Sequence, residues 1–303
     1  MTRDITLSFI IVNYNGLKDS CELIESIQKF LDDCFDYEIV LVDNGSLINE
    51  AEEVRKKFPD VIVVRSNVNM GFAAGNNLGI WHSSGRYIFL INNDALLIDD
   101  SVLKMVSFMD NYEKAGAVSP KIYYPGEQKI IQYAGFTKFS HVTLRNRSIG
   151  RGEVDKGQYD KECITFSLHG AAMMVRRKVL EEIGFMYEKY FLYYEEVEWC
   201  MKIKKRGCEL WYLPSARLVH KESRSTGENS YVKRYFLTRN RLLFARRNLS
   251  RAESICSIIY QIFVANPRAV IISLFEGRVD LAKATFKGVI DYLKMRDKLF
   301  GAK

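Results

Sequence analysis

Two groups of carboxylates stand where they could do chemistry. Asp94 closes the tip Asn92-Asn93-Asp94 directly after the apolar run YIFLI. A carboxylate at the carboxyl edge of a sheet is placed to hold a divalent cation, which in turn can neutralise a diphosphate. The competing role is a cap on the helix expected near Ser101, but that start lies seven residues further on. The second group is Tyr193-Tyr194-Glu195-Glu196-Val197-Glu198-Trp199, with three carboxylates in four residues at an expected helix start. The helix macrodipole favours negative charge there whatever the function. The sharper reading is a general base among them, with aromatic side chains limiting water. Glu195 and Glu198 are three apart and share a face while Glu196 points elsewhere, so their roles should differ.

Other candidates are weaker alone. His220 ends an apolar strand, where a single histidine is more often structural than a ligand. His82, His141 and His169 have no ligand spacing among them and there is no H-E-x-x-H, which disfavours a zinc hydrolase. The run Asn67 to Gly79 carries glycines at 71, 75 and 79, a rhythm that fits neither a dinucleotide fingerprint nor a P-loop. Gly75 and Gly79 read as close packing of a helix on the sheet, or else Asn67, Asn69 and Asn76 offer amide donors to a nucleotide near the helix start. A helix expected over Tyr231 to Asn248 carries Lys233, Arg234, Arg239, Arg241, Arg246 and Arg247 and no acidic residue. It reads as a solvated basic face, or as a surface for acceptor phosphate or anionic lipid. No nucleic-acid-binding module is recognisable. The N-x-[ST] matches at Asn44, Asn146 and Asn248 are taken as chance.

These residues need a scaffold. Over the first hundred residues, β-rich apolar runs alternate with helical periods, the pattern of βαβ units and a mostly parallel sheet. Strands are expected at Leu7–Asn13, Glu38–Asp43, Val61–Arg65 and Arg86–Asn92, and helices at Cys21–Phe30, Ile48–Phe58 and Phe72–Trp81. The strand tips NYNG, DNGS, SNVNMG and NND should converge on one crevice, because open α/β sheets bind ligands off their carboxyl ends. From Pro120 to Phe166 the pattern loosens into a short antiparallel or loop-rich insertion covering the sheet. Helical signal returns at Arg176–Ile183 and Glu195–Arg206, followed by a strand Glu209–Leu213 and another leading into His220. Arg251 to Lys303 reads as two or three amphipathic helices.

The chain has 303 residues, 48% hydrophobic and 27% charged, enough to bury a core without staples. Its net charge of +7 suits a phosphate-bearing ligand or an anionic membrane surface without choosing between them. Six scattered cysteines without a C-x-x-C pair read as free thiols in a reducing compartment, which points to the cytoplasm. The apolar stretch Ile258 to Phe275 is interrupted by Gln261, Asn266, Pro267 and Arg268, so no membrane crossing is expected.

Taken in order, IVNYNG, LVDNGS, NMGFAAGNNLGI, INND, HGAAMMVRR, YYEEVEWCMKIKKRG, LVH and TRNRLLF resemble the inverting family 2 glycosyltransferases of GT-A fold, most closely their rhamnosyltransferase-like members. The match runs from about residue 7 to 248. The resemblance implies an α/β fold: a Rossmann-like, mostly parallel central sheet flanked by helices. Residues 1–248 would form the glycosyltransferase domain, with a nucleotide-sugar half to about 120 and an acceptor half from 121. Residues 249–303 would form a C-terminal helical extension. Val12, Tyr14, Asp43 and Asn44 would cradle the base and ribose of a UDP- or dTDP-linked sugar, with Gly71 and Asn76 closing the pocket. The family's D-x-D motif corresponds to Asn92-Asn93-Asp94, so Asn92 and Asp94 would meet the donor. Asp94 would hold Mg2+ or Mn2+, with His220 as a further metal or diphosphate contact.

By the same resemblance, the family's Glu-Asp motif maps onto Glu195-Glu196 and puts Glu196 at the catalytic-base position, with Glu in place of Asp. The base would take a proton from an acceptor hydroxyl, which attacks the anomeric carbon in line and inverts it. The implied partners are a nucleoside-diphosphate sugar and a glycan or lipid-linked acceptor of surface polysaccharide synthesis. Two other functions compete with this one. A sugar nucleotidyltransferase would carry a glycine-rich basic loop after the first strand, which NYNGLKDS does not provide. A catalytically silent nucleotide-sugar-binding or scaffolding protein is the other reading, kept open by Glu196 standing where the family has Asp. The C-terminal segments Ile255-x-x-Ile258-Ile259-x-x-Ile262 and Ala282-x-x-x-Phe286-x-x-Val289-Ile290-x-x-Leu293 have apolar faces at helical spacing. Core packing is one use for them; peripheral contact with the inner face of the cell membrane or a homodimer interface is the other.

Overall fold

A computed structural model describes residues 5–31, 34–221 and 230–295. Ten strands form one sheet in the order β3-β2-β1-β4-β9-β6-β10-β5, with β7 on β6 and β8 on β10. Strands β1 (Leu7–Asn13), β2 (Tyr37–Asn44), β3 (Ile62–Ser66) and β4 (Tyr87–Asn92) are mutually parallel where they pair. They are joined by α1 (Leu17–Leu31), α2 (Glu50–Lys57) and α3 (Gly71–Trp81). Buried on both faces, β1 and β4 are near-continuous apolar runs, as a parallel sheet requires.

Beyond β4 the sheet changes character. The short strand β5 (Ala95–Leu97) follows the Asp94 turn and α4 (Val102–Asn111) leads into β6 (Ala115–Tyr123). Strands β7 (Ile131–Tyr133) and β8 (Cys163–Ile164) add antiparallel edges. β9 (Ala172–Arg176) pairs antiparallel with both β4 and β6. The two strands expected near 209–220 are a single strand, β10 (Glu209–His220), with a register shift between Leu213 and Arg217. Its last residues run antiparallel to β5, so His220 lies opposite Ala95. Helices α5 (Arg177–Ile183) and α6 (Glu195–Lys205) flank this half.

The glycines of α3 let it lie close to the sheet. A Cβ on Gly79 would sit 2.5 Å from Ile10 Cγ2, and one on Gly75 would sit 2.9 Å from Val12 Cγ1. Their rhythm therefore serves helix-to-sheet contact. Gly71 has φ +84° and any side chain there would run into the Phe191 carbonyl, so only glycine suits the start of this helix.

The C-terminal region contains α7 (Tyr231–Asn248), α8 (Arg251–Tyr260), α9 (Asn266–Phe275) and α10 (Val279–Lys294). A five-residue π-turn, Gln261–Ala265, joins α8 to α9. The expected interruption at Asn266 and Pro267 is thus absent: the π-turn shifts the hydrogen-bond ladder just ahead of the proline, and the helix continues. Arg251–Phe275 is long and apolar enough, by length and composition, to cross a membrane, and most of it is not buried. A core cluster apart from the sheet, including Leu242, Leu243, Phe244 and Tyr292, packs α7 and α10 against the chain around Phe139, Tyr190 and Tyr194.

Candidate functional site

The carboxyl ends of β1, β2 and β4 carry a polar network. Asn13 donates to Glu50 Oε2 at 2.7 Å and accepts from Ser20 Oγ at 2.8 Å. Asp43 is wholly buried; its oxygens accept from the Ser46 and Ala51 amides, and Arg65 lies 3.6 Å away. Asn44 accepts from Met70 N and donates to Gly71 O and Asn69 Oδ1, fixing the turn before α3. Asn76 donates to Phe72 O one turn back in its helix, while its neighbour Asn77 joins α3 to Met186 through two hydrogen bonds. Val12 is half-buried and Tyr14 is exposed at this edge. Six of the expected nucleotide residues, Val12, Tyr14, Asp43, Asn44, Asn92 and Asp94, thus lie on strand tips or turns at one edge, and Gly71 and Asn76 lie in α3 beside them.

The next turn of the crevice is built by β4, β5 and β10. Pairing of His220 with Ala95 brings its ring beside the preceding residue, and His220 Nε2 lies 3.1 Å from Asp94 Oδ1. Asn92 Nδ2 is 3.2 Å from the same ring nitrogen. The other ring nitrogen, Nδ1, is 2.8 Å from Gln132 Oε1. In the tautomer whose Nδ1–H donates to Gln132, Nε2 presents a lone pair beside a carboxylate oxygen. Two cis ligands at metal distances of about 2.1 Å are about 3 Å apart, so the donor pair fits an octahedral divalent cation. Among the described residues no cluster of three or more His, Cys, Asp or Glu could hold a metal unaided. The fit is therefore to a Mg2+- or Mn2+-type ion that takes its remaining ligands from substrate oxygens and water. Asp94 is not a helix cap: Ser101 precedes α4, and its amide is held by Asp99.

Gln132 and His169 were not expected here. Gln132 sits on the short edge strand β7 in the stretch where sequence periodicity is weak. His169 stacks on Phe136 and meets the His220 ring edge-on, and burial first, then the neighbouring His220, lower its pKa to about 3. It is a neutral wall of the site. Its HGAAMM context belongs to the run of motifs that carries the family resemblance, but nothing in it says that the ring will face His220.

The carboxylate cluster separates into three roles. Glu198 is buried; although burial opposes ionisation, Arg247, Asn248 and Tyr190 hold its pKa below the usual range. Arg247 donates through Nε to Oε2 at 3.0 Å and through Nη2 to Oε1 at 2.9 Å. Glu195 is also buried, but its Oε2 has no hydrogen-bond partner. Burial, reinforced by Glu196, raises its pKa well above the usual range. Glu196 is half-buried, has an unpartnered Oε2, and packs against Gly170 just before β9. Burial raises its pKa too, and nearby backbone amides oppose the shift. Glu195 and Glu198 do share the buried face, and Glu196 does not.

The loop that delivers these carboxylates is strained. Phe191, Tyr193 and Tyr194 all have positive φ, at 64°, 70° and 79°, a region that non-glycine residues rarely occupy. Helix α7 holds it: Asn240 Nδ2 reaches the carbonyls of Tyr190, Leu192 and Tyr193, and Arg239 Nη2 reaches those of Lys189 and Tyr190. The expectation of a solvated basic face on α7 is corrected at these positions, since Arg239, Asn240 and Arg246 are buried. The loop also touches α3, where Phe72 N donates to Phe191 O at 2.6 Å. A cavity of about 620 Å3 lies elsewhere, between α1 and α2, lined by Lys18, Glu22, Lys57 and neighbours.

Residues 8–184 match the profile described as Glycosyl transferase family 2. The chain is 28% identical over 308 residues to a dTDP-rhamnosyl transferase, RfbF, of Shigella flexneri, covering 94% of this chain and 90% of that protein. It is 25% identical over 300 residues to a low-salt glycan biosynthesis hexosyltransferase, Agl10, of Haloferax volcanii, with 96% and 92% covered. In fold it is similar to a mannosyltransferase of Pyrobaculum calidifontis solved with GDP-Man and Mn2+, at TM-score 0.59 and 13% identity, covering 98% of this chain and 89% of that one.

Proposed function

This chain belongs to glycosyl transferase family 2, and we propose that it is a metal-dependent inverting transferase acting on a nucleoside-diphosphate sugar. The observation that carries the reading is the Asp94–His220 pair, 3.1 Å apart at the edge where the parallel strands end. The Shigella relative's name makes dTDP-rhamnose the first donor to test, with UDP-sugars next. Val12, Tyr14, Asp43, Asn44 and Gly71 form or shape the nucleotide cleft, and Asn76 holds the first turn of α3 beside it. Asp94, His220 and Asn92 take the diphosphate end. A divalent cation bound by Asp94 and His220 supplies charge stabilisation for the departing nucleoside diphosphate.

Glu196 is the general base in this reading. It removes the proton from an acceptor hydroxyl as that oxygen attacks the anomeric carbon, and a single displacement inverts the configuration. Glu195 stays protonated beside it and keeps the second negative charge out of the pocket. His169, neutral, and Phe136 close the wall behind His220. The acceptor is a glycan or lipid-linked hydroxyl, presented from the side of residues 121–248, and residues 249–303 are an extension outside the glycosyltransferase domain. In this reading the enzyme works in the cytoplasm, at the inner face of the cell membrane.

Donor binding tests the reading without an acceptor. UDP, dTDP, GDP and CMP are compared by thermal shift, with and without Mn2+, on the wild type and on Asp94→Ala, since a ligand that binds the native state raises its melting temperature. A Mn2+-dependent rise with dTDP or UDP, lost in the variant, is expected. A rise that survives Asp94→Ala would overturn the metal assignment, and no rise with any nucleotide would overturn the donor site.

A further inference from the structure

A second cavity, about 290 Å3, opens between α7 and the α9–α10 pair. Four cations line it: Arg145, Lys233, Arg234 and Arg241. Among the described residues no carboxylate lines it, and no ion pair balances any of the four. Arg145 feels its neighbours: Arg241 first, and then burial, lower its pKa. Bringing such charges together without a counter-charge is unfavourable in the empty protein and becomes favourable when a polyanion enters. A second observation points the same way. Asn266, at the first turn of α9, also lines the cavity; it is only 7% exposed and its Nδ2 has no hydrogen-bond partner. A buried amide donor without an acceptor is uncommon in folded proteins, and a phosphate oxygen would satisfy it.

The surroundings say what kind of molecule carries the anion. The same helical segment that walls the cavity with Ala265, Asn266 and Ala269 turns Phe263 and Phe275 outward, at 73% and 89% exposure. On the inner side, Arg241 Nε donates to the Tyr194 hydroxyl at 2.9 Å, and Tyr194 directly precedes Glu195 and Glu196. The cavity thus stands between an apolar surface and the loop that carries the proposed base. We propose that it is the subsite for the phosphate or diphosphate of an amphiphilic acceptor, whose apolar chain lies along the exposed face of α8–α9. The proposal rests on the transferase reading for the acceptor's role, but the anion site is testable apart from it.

The probes are inorganic pyrophosphate, farnesyl diphosphate, and vesicles of phosphatidylglycerol with phosphatidylcholine, titrated by calorimetry or co-sedimentation on the full chain. The variants are Arg145→Gln with Arg234→Gln, and Arg234→Lys as the charge-conserving control. Farnesyl diphosphate is expected to bind at least tenfold more tightly than pyrophosphate, and the double glutamine variant to weaken both about tenfold. Arg234→Lys should bind within about threefold of the wild type. The melting temperature of the unliganded double variant should equal or exceed that of the wild type, since repulsion is removed, which separates lost binding from lost folding. Unchanged pyrophosphate and farnesyl diphosphate binding in the folded double variant would overturn the site. Vesicle binding that falls while binding of both diphosphates stays unchanged would overturn it in favour of a general membrane contact. A dTDP response that persists in the double variant leaves the donor reading standing, so the two readings fail separately.

Discussion

The side-chain nitrogen of Asn240 lies 2.9 Å from the carbonyl oxygen of Tyr193, and within 2.8 Å of those of Tyr190 and Leu192. One amide with two hydrogens is shared among three carbonyls of a loop whose residues Phe191, Tyr193 and Tyr194 have positive φ. Conformations of that kind cost about 1–3 kcal/mol each and persist only where the surroundings enforce them. The enforcing residues sit on α7, some fifty positions later in the chain than the carbonyls they hold.

Removing that amide should therefore act on the base and not on the nucleotide. Asn240→Ala is expected to lower kcat about 100-fold, the scale of an ångström-sized misplacement of a catalytic group. The metal-dependent thermal shift with nucleotide should persist. Steady-state kinetics beside the thermal shift would check this, and an unchanged kcat would remove Asn240 from its positioning role.

Glu195 and Glu196 are neighbours with the same chemistry and different expected consequences. Glu196→Gln removes the general base and should lower kcat about 10²- to 10⁴-fold. In Glu195→Gln a neutral amide replaces a carboxyl whose pKa burial and Glu196 have already raised well above its usual range. Its kcat at neutral pH should stay within about fivefold of the wild type, well short of the general-base loss. The acid limb of the wild-type kcat/KM profile should lie above the ordinary glutamate range, because burial raises Glu196. Equal losses in the two variants would undo the assignment of roles.

Much of this site was legible in the sequence, and the missing parts have a common cause. The four parallel strands and their tips were readable because each is a short β-rich run ended by polar turn residues, and β1 matches its expected bounds. The division of Glu195 and Glu198 from Glu196 followed from helical periodicity alone. What could not be read were long-range matches. Nothing local says that His220 will lie opposite Ala95, that Gln132 will hold its ring, or that Arg239 and Asn240 will face inward from a helix without apolar periodicity. The π-turn before Pro267 belongs to the same class, because proline reads locally as a stop while the helix continues around it.

The Glu198–Arg247 pair should matter to stability more than to chemistry. Arg247 lies over the Tyr187 ring, 3.5 Å from its centroid, as well as pairing with a carboxylate that is 2% exposed. Arg247→Met leaves that carboxylate buried with Lys202, 3.6 Å away, as its cationic partner among the described residues. Breaking one side of a buried pair typically costs about 3–5 kcal/mol, and Lys202 should keep the loss near the lower end. Adding Glu198→Gln removes the stranded charge while keeping groups that can meet Tyr190 and Asn248, so the double variant should recover part of the loss. Urea denaturation of the three proteins would measure it; a double variant less stable than Arg247→Met would contradict the account.

Glu195 should also leave a signature in the pH dependence of stability. Its native carboxyl holds a proton at pH values where the unfolded chain, with an ordinary glutamate pKa of about 4.3, has released it. Over that window the native state binds more protons than the unfolded state, so this residue's contribution to stability falls as pH rises. The decline begins near the unfolded pKa and continues until the native carboxyl ionises; below it, both states are protonated and nothing changes. Glu195→Gln cannot titrate and should escape the decline. The melting temperature of the variant relative to the wild type is therefore expected to climb between pH 5 and pH 8, by about 1.4 kcal/mol of relative stability for each pH unit in which the native group stays protonated. Parallel melting curves across that range would mean that Glu195 is ionised in the folded protein, and the assignment of the single proton-accepting carboxylate to Glu196 would go with it.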